Sequence, residues 1–131
     1  MKETLVKQAI IGIRSYVSYV RKQNKVKRHL FSLTTAEKDL LIYVYNRSKN
    51  VSNAVYIPYD YTIATDLKYK RILRRYKTIP TKIVRLKGTT DSKYCFMYGI
   101  RDLPRKFIED GKIKDTNFPS AKLCDYLDKY Q

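Results

Sequence analysis

The chain has 131 residues with 28 Lys and Arg against 12 Asp and Glu, one His, two Cys, no Trp and a formal net charge of +16. Its 44% hydrophobic content supports a core and argues against intrinsic disorder. The longest apolar run is Leu40 to Tyr45, far short of the ~20 residues of a membrane span, Arg14 breaks the one stretch that could serve as a signal peptide, and four Gly and four Pro exclude Gly-rich phosphate loops, collagen and low-complexity linkers.

Residues 3–28 read as one amphipathic helix. Val6, Ile10, Ile13, Val17 and Val20 repeat at spacings of four and three, which aligns them on one stripe. Lys7, Arg14, Arg21, Lys25 and Arg28 gather on another face, a candidate secondary basic surface. The stripe suits burial in a core. Its heptad spacing also suits pairing with a second copy of the chain, and the scarcity of acids suits a membrane-surface or targeting helix. The folded core needs these apolar residues, so no membrane partner is expected.

A second helix is expected to start at Thr34 or Thr35, because Thr34-Thr35-Ala36-Glu37 has capping-box spacing. Ala36, Leu40, Tyr43 and Val44 supply its buried face, and it should end near Lys49-Asn50. Residues 51–54 read as turn. Residues 55–64 alternate like a strand, but Pro58 limits that strand, so a strand to Ile57 followed by a short helix is the preferred reading. A basic helix is then expected over 66–78, with Leu67, Ile72, Leu73 and Tyr76 inward and Lys68, Lys70, Arg71, Arg74, Arg75 and Lys77 around the rest. Ile79-Pro80 stops it. A hairpin follows, Thr81–Lys87 and Lys93–Ile100 around a Gly88–Ser92 turn, with Val84 and Leu86 inward opposite Phe96 and Tyr98. Asp102 is placed to cap a helix over 103–110 with Gly111 after its end, and a last helix runs from Pro119 to Lys129 with Leu123, Leu127 and Tyr130 buried. Residues 111–118 are the loosest connection. The fold expected is α+β, mostly helical, in a single domain over 1–131.

The charge is not spread evenly. Residues 1–30 carry eight cations and one anion, and residues 59–88 carry nine and two. Residues 31–58 and 89–131 are nearly balanced, at three against two and eight against seven. Lys68–Lys87 holds nine cations and no acid. A small domain stays soluble with a net charge of ~2–8, and the excess is repulsive in the folded state. A polyanionic partner offsets it, and nucleic acid is the first choice.

In order, residues 34–100 give helix, strand, helix, basic helix, strand, turn, strand. This resembles a winged helix-turn-helix. The resemblance implies a DNA-binding core in which Ile63-Ala64 and Leu67 belong to the second helix, Tyr69 to Lys77 form the recognition helix, and Gly88 to Lys93 tip the wing. Arg71, Arg74 and Arg75 would include the base readers, since only Arg has the guanine-matching fork. Lys68, Lys70, Lys77, Arg85, Lys87 and Lys93 would hold phosphates. The position of this motif that is often Gly is Lys68, and the step from Leu67 to Ile72 is short. The function expected is duplex DNA binding in transcriptional regulation, intracellular and cytoplasmic, by a protein whose Lys, Arg, Tyr and Ile bias is similar to that of small viral and mobile-element proteins.

Catalysis is not expected. His29 lies among cations, and one His with two distant Cys does not make a zinc site. Cys95 and Cys124 read as buried free thiols, with a disulfide between them left open, and no metal or cofactor is implied. The rival is a metal-dependent nuclease, since Pro58-x-Asp60 and Asp66-x-Lys68 resemble a restriction-type pattern, although Asp110-Gly111-Lys112 matches equally well. A third class is an RNA- or protein-binding module such as a ribosome-associated factor or a viral inhibitor. The 13 Tyr divide between two roles, filling the core and stacking on bases.

Overall fold

A computed structural model describes residues 2–48, 54–77, 80, 82–85, 92–113 and 117–131, the side chains of residues 2–5 aside. The chain falls into two compact units, residues 1–32 and residues 33–131. The first is helix α1 (Lys2–Phe31). Its apolar stripe is exposed at Val6, Ile10, Ile13 and Val17, and among its described side chains burial appears only at Val26 and Leu30. Within its own unit α1 covers none of these four residues. Lys7, Arg14, Arg21, Lys25 and Arg28 are all exposed.

The second unit is α+β. Helix α2 (Thr35–Arg47) starts with the capping box expected. Thr34 Oγ1 accepts from Glu37 N at 3.2 Å, and Glu37 Oε1 accepts from Thr34 N at 3.1 Å. Leu40, Leu41, Tyr43 and Val44 are at most 1% exposed, whereas Ala36 faces solvent. The helix ends at Arg47, slightly before the expected point, with Ser48 as its cap. Of the expected turn at 51–54, residues 51–53 lie outside the described residues.

Strand β1 (Val55–Pro58) and helix α3 (Thr62–Tyr69) follow the preferred reading of this segment. The next element does not. Instead of a helix over 66–78, α3 ends at Tyr69 and the chain enters strand β2 (Leu73–Arg75). Arg71 N donates to Lys68 O at 3.0 Å and Ile72 N to Leu67 O at 2.9 Å. Those two bonds, with Arg71 at φ 61°, make a Schellman ending closed by the buried pair Leu67 and Ile72. Glycine usually occupies the left-handed position; here it is an arginine, which carries no such signal in the sequence. Among the described residues there is no helix over Tyr69 to Lys77, and the helix-helix pair of the winged-helix reading is replaced by helix and strand.

Strands β3 (Lys82–Arg85) and β4 (Ser92–Ile100) pair as the expected hairpin; residues 86–91 lie outside the described residues, and Ser92, expected in the turn, already belongs to β4 opposite Arg85. The register differs in one respect. Val84 faces Lys93 and Ile83 faces Tyr94, so Val84 does not lie opposite Phe96 or Tyr98, and Leu86 lies outside the described residues. Strand β4 is central and fully antiparallel to its partners. Cys95 pairs with both Pro58 and Lys82, and Tyr98 with both Val55 and Arg75. Thus β1 takes one edge of β4, while β2 and β3 follow each other along the other. Val55, Ile57, Leu73, Tyr98 and Ile100 share one face, toward α2 and α3, and are at most 7% exposed.

Helices α4 (Asp102–Glu109) and α5 (Ala121–Asp128) complete the unit. Arg101, not Asp102, holds the N-cap position of α4 and makes no side-chain capping bond. Gly111, at φ 74°, ends α4 as expected: Gly111 N donates to Ile108 O and Lys112 N to Phe107 O. Ser120 caps α5, later than the predicted Pro119, and Asp39 accepts hydrogen bonds from both its N and its Oγ at 2.6 Å. Leu123, Leu127 and Tyr130 are buried as expected. No described helix is long and apolar enough to cross a membrane.

Candidate nucleic-acid interface

The acid-free segment Lys68–Lys87 spans the end of α3, β2 and β3, and its cations have different fates. Lys70 Nζ donates to Glu37 Oε2 at 2.7 Å. Burial opposes ionisation of Glu37, yet the bonds from Lys70 and Thr34 hold its carboxyl below the usual range. Arg75 was expected to read bases. Its Nη2 donates to the Tyr98 hydroxyl at 2.6 Å and to Thr65 Oγ1 at 3.4 Å, and its Nε donates to the same hydroxyl at 3.1 Å. Its guanidinium also lies 3.9 Å from the Phe96 ring centroid. Such an arginine braces the sheet against α3. Lys82 donates to the Tyr130 and Gln131 carbonyls at 3.1 Å and lies over the Tyr56 ring.

Arg71, Arg74, Lys77 and Arg85 are exposed and have no ion pair among the described residues. Lys68 is half-buried, 5.3 Å from the ring centroid of Tyr69. Lys93, expected at the wing tip, pairs with Asp60 at 2.8 Å, a hydrogen bond that lifts its pKa to about 12. Lys87 lies outside the described residues.

The tyrosines divide between buried and exposed positions. Tyr43, Tyr98 and Tyr130 are buried. Tyr59 and Tyr94 are half or more exposed, with ring centroids 6.5 Å apart. Ile83, opposite Tyr94, is 62% exposed, and Arg85 stands two residues further on the same face. An exposed aromatic pair beside a cation is the composition of a base-stacking platform.

A further group of cations was not visible in the sequence. A cleft of about 240 Å³ opens where β2, the end of β4 and the start of α4 meet. Arg74, Arg101 and Arg105 line it, with Tyr76, Ser48 and Asp102. Arg105 Nη2 donates to Ser48 O at 3.2 Å, which fixes one side of its guanidinium. Arg74 lies 5.7 Å from the Tyr76 ring centroid. Tyr76 crosses β4 over Gly99, where any Cβ would collide with its hydroxyl. Arg101 and Arg105 belong to the nearly balanced C-terminal stretch, where counting charges hides them. Their i, i+4 spacing at a helix start was the available signal.

Asp60 is bonded to Lys93, Asp66 is exposed on α3, and no group of three or more His, Cys, Asp or Glu among the described residues is arranged to hold a metal ion. Cys95 and Cys124 are free, and burial raises both thiol pKa values. No protein-family model matches the chain, and no curated protein or solved structure matches it.

Proposed function

We propose that the chain is a non-enzymatic nucleic-acid-binding protein that grips phosphates through the 33–131 unit. One observation carries the reading: within an acid-free run of nine cations, Arg71, Arg74, Lys77 and Arg85 are exposed and unpaired among the described residues. Unpaired surface cations at this density repel one another, and a phosphate backbone neutralises them with release of counterions. The α2, β1, α3 and β3–β4 elements keep the order of a winged helix. We read them as a winged-helix-like scaffold in which extended β2 takes the place of the third helix. Without that helix the support is for backbone binding, with Tyr59 and Tyr94 available for stacking, rather than for base reading in a regulator.

Alanine substitution tests this. Arg71→Ala, Arg74→Ala and Arg85→Ala should each weaken binding to all sequences and lower the salt slope by about one. Lys122→Ala and Lys129→Ala remove the same formal charge from the balanced region and should barely matter. Equal losses across all five would reduce the protein to a diffuse polycation and sink the reading.

A further inference from the structure

We propose that the cleft bounded by Arg74, Arg101 and Arg105 receives the terminal phosphate monoester of a nucleic-acid strand. This inference rests on the nucleic-acid reading above and goes beyond it, since it separates a strand end from an internal linkage. Three arginines and one acid, Asp102, line it, which leaves a local formal charge of +2. A phosphate monoester carries close to two negative charges at neutral pH, with a second pKa near ~6, whereas an internal diester carries one. Charge complementarity therefore favours the end.

The size of the cleft agrees. Its volume of about 240 Å³ is below the ~300–1,000 Å³ of drug-sized ligand pockets. That space suits a phosphate with part of its sugar. The donors suit the ligand too. Arginine forks match phosphate oxygens in pairs. Arg105 is already oriented by its bond to the Ser48 carbonyl, and the Tyr76 phenol adds one more donor. Arg101 is exposed and has no ion pair among the described residues, so its charge is available at the cleft.

The test compares one short oligonucleotide bearing a 5′-phosphate, a 3′-phosphate or only hydroxyl ends, with the full-length protein in fluorescence-anisotropy titrations. At least one phosphorylated end should bind about tenfold tighter than the hydroxyl form. Arg101→Ala should collapse that ratio toward one, and Arg101→Lys should restore only part of it. The ratio should also shrink between about pH 7.5 and about pH 5.5 as the monoester loses its second charge. Thermal shifts with a nucleoside monophosphate and with inorganic phosphate distinguish recognition of the sugar from recognition of the phosphate alone, and stabilisation by either supports the cleft as the monoester site. Equal affinity for all three ends overturns the inference and leaves general nucleic-acid binding standing. Binding to none of them overturns both. A phosphoserine peptide that competes as well as the phosphorylated strand overturns the assignment to a strand end.

Discussion

Arg75 ties β2 to Tyr98, Thr65 and Phe96 through one guanidinium. Arg75→Ala removes two bonds from a charged group to Tyr98, which contribute roughly 1.5–3 kcal/mol. It also removes a half-buried stack on Phe96, worth ~1–2 kcal/mol. The two share one guanidinium and do not simply add, so the expected loss is about 2–4 kcal/mol. For a unit of this size, about 3 kcal/mol lowers the melting temperature by roughly 12–24 °C. Arg75→Lys keeps the charge but loses the fork, so most of the destabilisation should remain. A double-mutant cycle with Tyr98→Phe, followed by thermal denaturation, should give a coupling of about 0.5–3 kcal/mol. An unchanged melting temperature together with sharply weaker and less selective DNA binding would show Arg75 to be a base reader and refute the bracing role.

Three further outcomes follow from the same geometry. Arg71→Gly should leave stability unchanged or raise it by up to ~1 kcal/mol, because glycine relieves the left-handed backbone, while Arg71→Val should destabilise by more than ~1 kcal/mol in urea unfolding; a Gly variant less stable than the Val variant would contradict the Schellman ending. The Glu37 carboxyl titrates lower in the folded chain than its unfolded value near ~4.3, so the stability it contributes is present above that pH and is lost as pH falls through the folded value. Glu37→Gln should flatten that part of the acid limb, and an identical acid profile would count against the Thr34–Glu37–Lys70 cluster. Ile13 and Val17 are 63% and 39% exposed, so Ile13→Asp with Val17→Asp should leave the 33–131 unit folded by circular dichroism. If the stripe joins two copies, sedimentation should then show a monomer where the native chain is a dimer; a monomeric native chain ends the dimer reading.

What could be read from the sequence was local. The Thr34–Glu37 box sets both ends of its bonds within four residues, and Gly111 announces a left-handed helix end by residue type. Arg71 performs the same task as Gly111 with a side chain that signals nothing of the kind, and the amphipathic run through Tyr76 then looks like more helix. What holds Leu73–Arg75 extended is its pairing with residues 98–100, a contact too distant in sequence for any window to register. The site was partly legible for the same reason. The acid-free run picked out Arg71, Arg74, Lys77 and Arg85. It could not tell that Arg75, Lys70 and Lys93 spend their charge inside the unit, nor that Arg101 and Arg105 join Arg74 across the fold.

The salt dependence of binding tests the central claim most directly, measured in parallel on duplex DNA, single-stranded DNA and RNA. Four phosphate contacts, by Arg71, Arg74, Lys77 and Arg85, predict a slope of about −3.6 for log affinity against log salt on duplex DNA, or roughly 150-fold between ~50 and ~200 mM. A steeper slope adds the arginines of the cleft, and a preference for single strands adds the exposed tyrosines. A flat dependence on all three substrates would contradict phosphate binding by this surface.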